Sequence, residues 1–236
     1  MRALLISVAF ALLCSGSAAD AGTGSLRILF VGNSLTQTND LPARVAALAA
    51  SNGRKVEYQT VAFGGYNLED HWNRGDARTA LATRTWDVVV MQQGPSALQE
   101  SQADLRKWAM RWADEARAVG TRPALMTVWP ESYRKSALGE VIASYRRAAQ
   151  AARTDLLPAG SAWRLAWGCD ERTPLFGSDG FHPSPLGTQT AALVVYGRLF
   201  KAPLVGIPMP SRGKTARLVQ KSAARALGRR VARPCN

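Results

Sequence analysis

The chain has 236 residues, 47% of them hydrophobic, and a formal charge of +13. After the first residues no apolar run reaches the roughly eighteen needed to cross a bilayer, which excludes a second membrane segment and suits one globular domain with a full core. The charge is concentrated: residues 211–236 hold eight basic and no acidic side chains, so basicity describes the C-terminal segment more than the body.

In chain order, MRALLISVAFALLCSGSAADAG reads as a secretory signal over residues 1–19. Arg2 precedes an apolar stretch from about Ala3 to Leu13, and Ser17 and Ala19 fit a small-residue cleavage site. A lipoprotein reading of Cys14 is weak because Leu13 precedes it. Localisation is therefore expected to be periplasmic or secreted. In such a compartment Cys169 and Cys235 are expected to pair.

Leu26–Val31 predicts a first apolar strand that breaks at Gly32-Asn33-Ser34. Asn39 or Asp40 caps a helix over 41–51, with Pro42 in its first turn. Val56–Phe63 predicts a second strand, ending at Gly64-Gly65, and Asp87–Met91 a third that is buried on both faces. A helix over 102–119 carries Leu105, Trp108, Trp112 and Ala116 at helical spacing. A fourth strand over 124–128, a helix over 137–153 and a short fifth strand over 155–158 follow. Ser184 then caps a helix running to Phe200, with Pro185 at its first position. This alternation predicts an α/β domain over 20–202 whose parallel sheet is covered by helices on both faces. KAPLVGIPMPS predicts a proline-rich linker (203–212), and 213–236 a basic amphipathic helix or tail. There Val219, Ala223, Leu227 and Val231 recur every four residues, while Arg217, Lys221, Arg225 and Arg229 lie about 200° away around the helix.

The chain has two histidines, His71 and His182, whose spacing with the cysteines matches no familiar ligand pattern, so no metal is expected. No Walker A or G-x-G-x-x-G stretch occurs, and no cofactor is expected. Taken alone, Ser34 reads as a helix cap or turn residue. It also sits just beyond the end of the first strand, where ligands bind in parallel sheets. SDGFHPS places Asp179 three residues before His182 in a loop. From there the carboxylate can fix the imidazole as a base, and the base can activate a serine. His71 reads as a packed histidine beside Trp72. Trp129, after the fourth strand, fits either a stacking surface for substrate or core filling.

VGNSLT and SDGFHPSPLG resemble the first and last blocks of the SGNH (GDSL-like) hydrolase family, with Asn33 where aspartate is commoner. The resemblance spans residues 26–200, and the G-x-S-x-G elbow of α/β-hydrolases is absent. It implies a three-layer α/β/α sandwich with a parallel, flavodoxin-like sheet, with Ser34 as nucleophile, His182 as base and Asp179 as its orienting partner. It further implies an oxyanion hole of Ser34 N–H, a glycine N–H (Gly65, from AFGGYN) and a side-chain amide. Where G-x-N-D is expected the chain reads QQGPSA, so the third donor falls on Gln92, the favoured candidate, or on Gln93 or Ser96. The implied activity is hydrolysis of carboxylic esters, either acyl or acetyl groups on carbohydrates or short-chain and lipid esters. Alternatives are a catalytically weak module that binds envelope glycans, and an O-acyltransferase using the same residues. The basic tail would suit a polyanionic envelope surface; nucleic acid is not expected as a partner.

Overall fold

The structure is a computed structural model that describes residues 25–235; the signal expected over 1–19, with Cys14, lies outside them. Strand β1 (Leu26–Gly32) occupies the interior of a five-stranded sheet ordered β2-β1-β3-β4-β5. Its partners are β2 (Val56–Ala62), β3 (Val88–Met91), β4 (Arg122–Met126) and β5 (Asp155–Leu157), all pairing parallel. Gly32 is level with Ala62, Val31 with Met91 and Met91 with Leu125, so four strands end along one rim. The all-apolar run of β3 is buried throughout, as a strand covered on both faces requires.

Helix α1 (Ser34–Gln37) is a single turn. It precedes α2 (Leu41–Ala50), whose N-cap is Asp40, with Ala43 N–H donating to Asp40 Oδ1 at 3.0 Å. Next come α3 (Leu68–Arg74), α4 (Asp76–Thr83), α5 (Gln99–Ala118), α6 (Leu138–Ala152), α7 (Ala159–Trp167), α8 (Pro185–Phe200) and α9 (Gly213–Ala226). The chain steps from β1 to β2 in one direction, and from β2 across to β3, β4 and β5 in the other. Right-handed crossovers therefore put α2 on one face and α3 to α6 on the opposite one. Helix α2 packs on α8, and α5 packs on α3 and α6. Ser184 caps α8 as expected, accepting from Gly187 N–H at 3.1 Å. Among the described residues no helix is long and apolar enough to cross a membrane.

Besides the single turn of α1, three helices were not expected. Helix α3 opens on a capping box in which Asn67 and Asp70 bond reciprocally, a signal present in the sequence. Helix α4 follows it directly at Gly75, and α7 is an alanine- and tryptophan-rich turn buried beneath the last loop. The fourth strand begins two residues earlier than expected, because pairing of Val88 with Arg122 and of Ala124 with Asp155 fixes its register.

The C-terminal segment folds back onto the body. Val219, Gln220, Ala223 and Ala224 are buried, and α9 packs against α7 and α8. Gln220 donates to Ile207 O (2.7 Å) and accepts from Gly206 N–H (2.9 Å), while Arg229 donates to the carbonyls of Gly197 and Ala202. The apolar stripe does not continue as helix to Val231, because the chain turns at Gly228, where φ is +78°. It then returns to Cys169, which is disulfide-bonded to Cys235.

Candidate active site

The apolar run of β1 carries Ser34 to the sheet rim, where Asn33 acts as N-cap of α1, its Oδ1 accepting from Leu35 N–H at 3.0 Å. Ser34 is then the first helical residue, and an N–H at that position has no intrahelical acceptor. Asn33 Nδ2 donates to Tyr66 O (3.0 Å), which couples the serine turn to the turn after β2. In that second turn Tyr66 N–H donates to Phe63 O (3.1 Å), and Gly65 at φ +79° takes the position that favours glycine. Gly65 N–H has no acceptor among the described residues.

The last block forms a compact exposed loop. Asp179 Oδ1 accepts from the backbone N–H groups of Phe181 and His182, both at 3.0 Å, and Oδ2 lies 2.5 Å from His182 Nδ1. A carboxylate only accepts, so Nδ1 carries the proton and Nε2 presents a lone pair. The imidazole bond, followed by these backbone donors, holds the Asp179 carboxyl down to about 2. The loop is fixed from three sides. Ser132 N–H donates to Gly180 O (2.7 Å), Gly177 N–H to His182 O (2.7 Å), and Trp129 Nε1–H to Phe181 O (3.2 Å). Asn39, five residues beyond Ser34, donates from Nδ2 to Pro183 O (2.8 Å) and Thr188 Oγ1 (3.0 Å). This bridge ties the segment after the serine turn to the residue following His182.

Gln92 does not reach into the rim as expected. Its Oε1 accepts from Asn33 N–H (3.0 Å) and Thr36 Oγ1–H (2.8 Å), and its Nε2 donates to Asn33 Oδ1 (2.7 Å) and Gln93 O (3.0 Å). With both protons spent on protein acceptors, this buried amide braces the serine turn from behind and has none left for an oxyanion. Gln93 and Ser96 are buried and engaged as well: Gln93 Nε2 donates to Ser96 Oγ and Asp104 Oδ2, and Ser96 Oγ to Gly94 O. Of the expected oxyanion donors, the N–H groups of Ser34 and Gly65 have no acceptor among the described residues.

His71 is buried under the same turn, with Nε2 2.7 Å from Gly32 O. A carbonyl cannot donate, so Nε2 carries the proton; Nδ1 is left bare, buried and unpartnered among the described residues. Burial lowers its pKa from the ordinary histidine value, against the smaller opposing pull of the Gly32 carbonyl. Trp129 belongs to the core: its ring stacks on Trp163 at 3.5 Å between centroids. The exposed aromatic on that stretch is Tyr133. Sequence reasoning passed over Thr36 and gave Asn33 and His71 no part in the serine turn. The one local signal for Asn33 was an Asx residue directly before a helix.

No protein-family model matches the chain, and no curated protein matches it significantly in sequence. Solved structures do match. A protein of Slackia heliotrinireducens provisionally assigned as an SGNH hydrolase is 29% identical, covers 75% of this chain and all of its own, and has a TM-score of 0.64. A DUF4886 family protein from Bacteroides uniformis is 18% identical over 89% of this chain and 98% of its own, with a TM-score of 0.75. A lipase/acylhydrolase from Enterococcus faecalis is 17% identical over 80% of this chain and its whole length, with a TM-score of 0.60. The architecture is thus the three-layer SGNH hydrolase fold. In fold the chain is similar to SGNH (GDSL-like) hydrolases.

Proposed function

We propose that the protein hydrolyses carboxylic esters through an acyl-enzyme on Ser34. The observation that carries this is the Asp179–His182 bond at 2.5 Å, in a loop that Asn39 ties to the segment following Ser34. His182 Nε2 takes the Ser34 proton as Oγ attacks the acyl carbon. The oxyanion that forms is met by the N–H groups of Ser34 and Gly65. Collapse of the tetrahedral species breaks the ester C–O bond, and His182 returns the proton to the departing alcohol. Water, deprotonated by the same imidazole, then releases the acid and restores Ser34. The favoured substrates are small acyl groups on carbohydrates and short-chain esters.

The signal-like residues 1–19, together with the Cys169–Cys235 bond, support export to an oxidising compartment. Wild-type protein is expected to release p-nitrophenol from p-nitrophenyl acetate, and Ser34→Ala to be slower by about 10⁴-fold or more. A fluorophosphonate probe is expected to label Ser34. Equal rates for the two proteins would instead favour a glycan-binding module. That second reading draws on the engaged amides of Gln92 and Gln93 and the engaged hydroxyl of Ser96, which leave the oxyanion hole without its side-chain donor.

A further inference from the structure

Charge is partitioned along this chain. Residues 25–179 carry nineteen Lys and Arg against sixteen Asp and Glu, whereas residues 180–235 carry ten Lys and Arg and no carboxylate side chain. The ion pairs of the body, such as Arg27–Asp87, Arg84–Glu57 and Arg122–Asp155, balance it locally. Arg212, Lys214, Arg217, Arg230 and Arg233 are all exposed, and none forms an ion pair with a carboxylate among the described residues, although Asp170 shares a cleft with Lys214 and Arg217 beside the disulfide. These cations are held on a fixed support. Helix α9 is anchored by its buried face, by Gln220 and Arg229, and by the disulfide that returns the chain to Cys169.

Two properties of this face select its partner. First, uncompensated like charges on a rigid surface repel one another, and a polymer that brings several anions at once relieves that repulsion. Second, the apolar stripe that would let a basic helix sink into a bilayer is already used: Val219 and Ala223 are buried against α7 and α8. The exposed large apolar side chains Tyr58, Leu98, Met110 and Val119 belong to other elements, and Val205 adjoins the loop that Gln220 holds. The surface engages anions chiefly through charge. From this we infer that the α9 face docks the protein on an acidic polysaccharide. The inference is independent of ester hydrolysis, and its readout is binding.

The test uses the full exported chain and polygalacturonate as the probe. Wild type is expected to bind with an affinity that falls steeply between 50 and 200 mM salt, as multivalent ionic contacts do. Arg212, Lys214, Arg217 and Arg233, all replaced by Gln, should weaken binding at least about tenfold with an unchanged Tm, since all four are exposed. Arg106, Lys107 and Arg146, exposed on the opposite face and likewise replaced by Gln, should change it less than about threefold. Equal losses for the two sets would overturn the proposal in favour of diffuse net charge. Binding to phosphatidylglycerol vesicles without binding to polygalacturonate would overturn it in favour of a lipid surface.

Discussion

The two halves of the candidate site are built on opposite principles. The serine half is buried and over-determined: the turn 32–36 is gripped by Gln92 just beyond β3, by His71 from α3 and by the carbonyl of Tyr66. The histidine half stands in solvent, its Asp179 side chain 51% exposed, and relies on backbone bonds within a short loop. A nucleophile and its oxyanion donors must be placed to within fractions of an ångström, which favours a buried network whose polar valences are filled. A proton relay must instead admit substrate and water, which favours an open loop. Chemistry and stability should therefore separate at Asp179 and travel together at Gln92.

Among the residues that position Ser34 and His182, the largest effect is expected at the exposed half. Asp179→Asn removes the acceptor that fixes the imidazole tautomer and should cut kcat/KM by about 10²–10⁴. It should leave Tm almost unchanged at neutral pH, because an exposed pair adds little to stability. An equal fall in Tm would break the contrast. The Asp179 carboxyl, held down to about 2, stays charged through the whole working range. Acid loss of activity above that pH therefore does not report loss of the carboxylate.

A smaller catalytic effect with a clear cost to folding is expected at Gln92. Gln92→Met leaves Asn33 N–H and Thr36 Oγ1 without their shared acceptor in a buried place. It should cost about 2–3 kcal/mol in urea unfolding and lower kcat about 10–100-fold, with KM little changed. A loss of 10²–10³ in kcat with unchanged stability is what an oxyanion donor would give, and would return this amide to the hole.

The smallest effect is a pH dependence. The His71 imidazole, whose value burial lowers, packs against the rings of Phe63 and Tyr66, with Asp70, Arg74 and Asp76 nearby. In the unfolded chain it takes up a proton near pH 6.5, ahead of the folded protein. Its contribution is therefore complete above that pH and is lost as pH falls below it. His71→Gln keeps a donor for Gly32 O without a titrating group, so its Tm should drop less than that of wild type between pH 7.5 and 5.

The elements that local rules govern were legible in the sequence. The β1 run into Gly32-Asn33-Ser34, the Ser184 cap with Pro185, and the Asp179-x-x-His182 spacing each depend on neighbours within a few positions. What was missed or left open depends on distant partners. The direction of the Gln92 amide is decided by Asn33, 59 positions away, and the choice of core filling for Trp129 by a stack on Trp163. The register of β4 was set by strands on either side of it. The stripe at Val219 and Ala223 was visible, but the surface it covers was not.

Gly32 lies where this network is tightest: a Cβ there would collide with Gln92 Oε1 and Thr36 Oγ1. Glycine at 32 and glutamine at 92 thus constrain each other's history. A side chain at position 32 would require both Gln92 and Thr36 to give way, so this glycine is tied to two partners at once.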